Sequence, residues 1–111
     1  MAGNITAARR AALQDTAVTT HSLPARRIAM TAFSSLMRRA GTLRQFESDP
    51  IRSEWWVGYM RGLRRAHHGA NFGTRAEHEM WIAASESTDP MRASLGRGYV
   101  VGLTMECRDP P

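Results

Sequence analysis

Apolar residues recur at helical spacing from Pro24 to Ala40, at Ile28, Ala29, Ala32, Phe33, Leu36, Met37 and Ala40, which predicts an amphipathic helix. Gly41 is placed to end it, since glycine readily takes the left-handed conformation of a residue just past a helix. On the opposite face Arg27, Thr31, Ser34 and Arg38 follow the same helical period, with Arg26 and Arg39 beside them. Thr74-Arg75-Ala76-Glu77 fits a capping box and predicts a shorter helix to about Glu86 that buries Met80, Trp81 and Ala84. Gly69 to Gly73 reads as a loop whose Phe72 plugs back into the core, and a further helix is expected near Ile5–Gln14. No stretch alternates as a strand would, so the fold expected is all-α.

The most informative pattern is a duplication. Residues 49–63 recur forty positions later as 89–103, sharing Asp-Pro-x-Arg-x5-Gly-Tyr-x2-Gly-Leu. Asp49 and Asp89 suit helix N-caps, and Pro50 and Pro90 suit the first helical position, where no amide bond is lost. Within each copy one stripe holds two large residues and then two glycines: Ile51, Trp55, Gly58, Gly62 and Met91, Leu95, Gly98, Gly102. Each interior glycine costs about 1 kcal/mol relative to alanine, a penalty that implies a return from close helix approach. The expected architecture is a small bundle of two pseudo-symmetric helical hairpins. Its two glycine helices cross antiparallel, with Trp55 over Gly98 or Gly102 and Leu95 over Gly58 or Gly62. A glycine stripe facing outward would instead form a homodimer.

The 111 residues suffice for one modest core, set out as a basic N-terminal segment 1–22 that is partly helical or disordered, a single helical domain 23–106 and a tail 107–111. That Asp-Pro-Pro tail is expected to be mobile. All 15 basic residues are arginine, and they outnumber the 10 acids to give a net charge of +5. The excess is concentrated: residues 1–45 hold seven arginines against the single acid Asp15. Such asymmetry favours a polyanionic partner, nucleic acid or an acidic protein face. The first 22 residues loosely resemble an organelle transit peptide, but they lack the apolar stretch of a secretory signal. No apolar run approaches the roughly 18 residues of a membrane span. With the lone thiol of Cys107, the location expected is a reducing cytoplasm without membrane contact.

Candidate chemistry is sparse. His67, His68 and His78 lack the i, i+4 pairing of a helical zinc site, so neither a metal nor a cofactor is expected. Cys107, Ser34, Ser35 and Ser53 have no evident base partner, so no catalytic residue is assigned and the chain is not expected to be an enzyme. Arginines are the stronger candidates, because guanidinium forks bind carboxylate or phosphate in bidentate fashion. Arg27, Arg38 and Arg39 on the first helix, with Arg61, Arg64 and Arg65 on the second, are the expected partner-binding residues. Arg52 and Arg92 repeat after the Asp-Pro caps and are expected to serve the fold by pairing with carboxylates of the other hairpin.

The run Gly58-Tyr59-Met60-Arg61-Gly62-Leu63-Arg64-Arg65-Ala66-His67-His68-Gly69, followed by Phe72-Gly73-Thr74 and Glu77-His78, resembles small proteins of phages and integrative elements. Gly96-Arg97-Gly98-Tyr99 to Gly102-Leu103 has the same character. Among such proteins are anti-CRISPR inhibitors, mostly non-enzymatic, which occlude a surface of a host CRISPR–Cas ribonucleoprotein complex or its recruited nuclease. The resemblance covers roughly residues 49–103 and implies an inhibitor acting by contact with a host protein or ribonucleoprotein. A small DNA- or RNA-binding regulator using the same arginines is the other reading.

Overall fold

The computed structural model describes the backbone of residues 22–111 and the side chains of residues 32–111. The helix expected near Ile5–Gln14 and the side chain of Arg27 lie outside these residues. Among the described residues four α-helices follow one another: α1 Ser22–Gln45, α2 Pro50–His68, α3 Arg75–Ala84 and α4 Pro90–Leu103, with a short 3-10 turn at Gly69–Asn71. No strand occurs among the described residues, and the chain folds as an all-α bundle. The chain divides into two compact units within α1, residues 1–34 and 35–111. The second unit carries both copies of the duplicated motif, the core and the tail.

Both copies of the duplicated motif start alike. Asp49 and Asp89 hold extended backbone at φ −79° and −76°, and each carboxylate accepts a hydrogen bond two residues on, from the Ile51 amide at 3.0 Å and the Met91 amide at 3.3 Å. The likeness reaches further back. The Glu47 carboxylate accepts from the Asp49 amide at 3.1 Å, and the Ser87 hydroxyl accepts from the Asp89 amide at the same distance.

The glycine helices pack against each other, but in parallel rather than antiparallel. A Cβ on Gly58 would meet the Leu95 carbonyl and the Tyr99 amide, whereas one on Gly62, a turn later, would meet Tyr99 and lie 3.0 Å from the Gly102 Cα. The contact therefore advances in the same direction on both helices. At the N-terminal end the Ser94 hydroxyl donates to the Ile51 carbonyl at 2.6 Å. The connection explains the sense of the crossing: α3, ten residues and about 15 Å long, carries the chain back before α4 begins. The antiparallel crossing of the two glycine helices is thereby excluded, but the pseudo-twofold between α2 and α4 remains. Gly98 faces the Trp55 carbonyl as Gly58 faces that of Leu95, and Gly102 faces the Tyr59 carbonyl as Gly62 faces that of Tyr99.

Main chain fills each glycine notch, not the bulky side chain that sequence suggests. The Trp55 ring instead stacks on Tyr59 of its own helix, with centroids 5.1 Å apart and planes 12° apart. Trp56 meets both rings edge-on. Trp55, Trp56, Tyr59, Leu63 and Tyr99 form the core with Ala40, Ala84 and Ala93. All four notch glycines are buried within the chain, so this stripe offers no face for a second copy.

Three boundaries differ from expectation. α1 runs through Gly41 to Gln45, because Gly41 has helical neighbours on both sides and no positive φ. The apolar face of α1 is also narrower than expected: Ala40 is buried, Phe33, Leu36 and Met37 are half-buried, and Ala32 is exposed. α3 is capped as expected, the Thr74 hydroxyl accepting from the Glu77 amide at 3.0 Å, yet it ends at Ala84. There the α3 C-terminus lies so close to α4 that a Cβ on Gly96 would sit 2.7 Å from the Ala84 carbonyl carbon. Met80 points outward and is exposed, Trp81 is half-buried, and of the three expected core residues only Ala84 is buried.

The tail is engaged. Met105 adopts a left-handed φ of 58° past the end of α4, and the chain turns back so that the Tyr59 hydroxyl donates to the Glu106 carbonyl at 2.5 Å. Asp109 then pairs with Arg39 of α1.

Candidate partner-binding surface

The arginines of the expected surface divide into those the fold uses and those it leaves outward. Arg39 is half-buried, ion-paired with Asp109 and 5.7 Å from the centroid of the Trp56 ring. Arg61 lies between aromatic rings, 5.2 Å from Phe72 and 5.0 Å from Trp81, and pairs with Glu77 at 3.1 Å. Arg65 donates to the Phe72 carbonyl at 3.0 Å. Phe72 is half-buried, anchored by these two arginines, not plugged into the core. Arg38 is exposed and Arg64 half-exposed. The structure therefore does not bring the five described arginines together as one free ridge. It divides them between two helices and commits three to internal contacts.

Arg52 pairs within its own copy, with Glu47 at 3.2 Å and Asp49 at 3.4 Å, and not across to the other half. Its counterpart Arg92 is exposed, for a simple reason: the place of Glu47 in the second copy is taken by the shorter, neutral Ser87. The hydrogen bond from Arg52, then that from the Asp49 amide, holds the Glu47 carboxyl below the ordinary glutamate value.

The tyrosines of the duplication have separate tasks. Tyr59 holds the tail, and the Tyr99 hydroxyl lies 2.6 Å from Nδ1 of His78, fastening α3 to α4. Burial raises the pKa of both phenols. Among the described residues no group of three or more His, Cys, Asp or Glu could hold a metal ion.

One surface feature escapes a reading of the sequence. The last turns of α1 and the tail border two adjoining open hollows that share Leu43 and Asp109. One is lined by Ser35, Arg38, Arg39 and Thr42. The other is floored by Trp56 and walled by Phe46, Glu47, Arg52 and Pro110. Phe46 stands at its mouth with 80% of its surface exposed, and Leu43 beside it is 38% exposed. The signal was present in the 3.6-residue period, because Leu36, Ala40 and Leu43 continue one stripe past Gly41. A helix ended at Gly41 cuts that stripe short of Leu43 and Phe46.

No protein-family model, curated protein or solved structure matches this chain.

Proposed function

We propose that this chain is a non-enzymatic binding protein that acts by stoichiometric contact with a host protein or ribonucleoprotein. The observation that carries this reading is the exposed Phe46 beside Leu43, in a hollow floored by Trp56 and bordered by Arg52, next to a second hollow that holds Arg38 and Arg39. Aromatic and arginine side chains supply most hot-spot energy in protein interfaces, and an 80% exposed phenylalanine costs solvation that a partner would recover. Contact with protein is favoured over nucleic acid because Arg39, Arg61 and Arg65, half of the expected basic surface, are bonded within the chain.

The resemblance to small phage and mobile-element proteins makes a host CRISPR–Cas complex, or its recruited nuclease, the first partner to test. The experiment mixes the purified chain with such a complex and follows co-elution and target-DNA binding or cleavage. A complex of fixed stoichiometry that blocks either step supports the anti-CRISPR reading, and unchanged activity with no co-elution removes it. Salt separates the wider alternatives. A complex with duplex or single-stranded nucleic acid resting on six to ten phosphate contacts would lose roughly 10³–10⁵ in affinity between 50 and 200 mM salt. A protein complex built around Phe46 would lose far less.

A further inference from the structure

On the reading of this chain as a binding protein, we infer that the two hollows along α1 form one trough that receives an acidic, apolar-tipped segment of the partner protein. The hollows meet at Leu43 and Asp109, so the trough follows α1 from Ser35 to its end. Ten helical steps of 1.5 Å give it a length of about 15 Å, room for four or five residues of extended chain. Its two ends differ in chemistry. At the Ser35 end Arg38 is exposed, with no ion pair to any described residue, beside Arg39, whose guanidinium is fixed by Asp109 and by the Trp56 face. At the other end Leu43, Phe46, Trp56 and Pro110 line an open hollow of about 320 Å³ together with Glu47, Arg52 and Asp109, whose charges are already paired, Glu47 with Arg52 and Asp109 with Arg39. Its size is at the lower limit of small-molecule sites and leaves room for one or two side chains.

Charge selects among occupants. The chain's own first 21 residues carry Arg9 and Arg10 against Asp15, and a second copy carries +5, so neither complements the arginine end. Carboxylates do, through the fork geometry of the guanidinium. A single-stranded nucleic acid would also bring negative charge and could stack on Phe46, but among the described residues Phe46 is the one exposed large aromatic, so successive bases would find no second ring to stack on. The segment therefore places one or two carboxylates at Arg38 and an aliphatic or aromatic residue between Leu43 and Phe46.

The test is selection of a random dodecapeptide display library on the full-length protein. Selection on Phe46→Ser and Arg38→Glu runs in parallel, and a labelled oligothymidylate serves as the nucleic-acid probe. Both positions are exposed, so unchanged thermal melts establish that the variants fold. The expected result is enrichment of sequences combining Asp or Glu with Leu, Phe or Trp. The synthesised peptides should bind each variant at least roughly tenfold more weakly. Enrichment without acidic residues, affinity indifferent to Phe46→Ser, no enrichment at all, or tight oligothymidylate binding weakened by Phe46→Ser would each overturn the assignment. A host partner that co-elutes equally with the wild type and with Phe46→Ser would sink the trough while leaving the proposed function standing.

Discussion

Gly58 is opposed by the main-chain carbonyl of Leu95, and no side chain larger than hydrogen fits between them. The same relation recurs one repeat later, between Gly98 and Trp55. Alanine at Gly58 or Gly98 gains about 1 kcal/mol of helix propensity, yet it places a methyl group against backbone that cannot rotate away. Each substitution is expected to destabilise by a net amount of at least about 1 kcal/mol, read as a lowered denaturation midpoint. Gly41→Ala supplies the contrast. With nothing within 4 Å of its Cβ position, it should stabilise by about 0.5–1 kcal/mol. Equal midpoints for all three variants would contradict the parallel seam.

Arg61 and Arg64 are neighbours on α2 with opposite prospects. Arg61→Ala loses its place between Phe72 and Trp81 and its pair with Glu77, all part-exposed, for an expected cost of about 1–2 kcal/mol. Arg64→Ala is expected to fall within about 0.5 kcal/mol of the parent. Chemical denaturation of both variants measures the difference directly.

Tyr59→Phe keeps the stacked ring and removes the hydroxyl that holds the Glu106 carbonyl. The expected loss is about 0.5–1.5 kcal/mol, with amide exchange quickening selectively in residues 106–111. Uniform acceleration across α2 and α4 would mean that the bond does more than fix the tail.

The phenols also set a pH dependence. Burial raises their pKa in the folded protein, so the proton is retained where the unfolded chain has lost it. Stability is thus fully present below the unfolded phenol value of about 10 and declines as pH rises through the folded values. Denaturant midpoints should be flat between about pH 7 and 9, fall beyond about 10, and fall less steeply in Tyr59→Phe. Glu47 acts at the other extreme. Its lowered pKa gives a contribution present above the unfolded carboxylate range and lost as pH falls through its folded value, so Glu47→Gln should flatten the acid limb.

Much of the fold was legible because its signals are local. Caps at Asp49, Thr74 and Asp89 follow from hydrogen bonds spanning two or three residues, and the glycine stripes announce close approach wherever the partner lies. The sense of the crossing was not legible. A pseudo-symmetric pair of stripes fits either direction, and only the return path through α3 decides it. Nor did sequence show that carbonyls, rather than tryptophan and leucine side chains, would occupy the notches. For the surface, arginine spacing located helix faces but not the acids and rings that would claim Arg39, Arg61 and Arg65 from other elements. Phe46 was missed through one wrong helix end, a small error with a large effect on the candidate site.

Because backbone meets backbone at Gly62 and Gly102, the seam has no rotamers to freeze or rearrange at these notches. It is a stiff spine whose shape is set by covalent geometry more than by the volumes of neighbouring side chains. Exposed positions at the end of α1, such as Leu43 and Phe46, can therefore be exchanged without reshaping that spine.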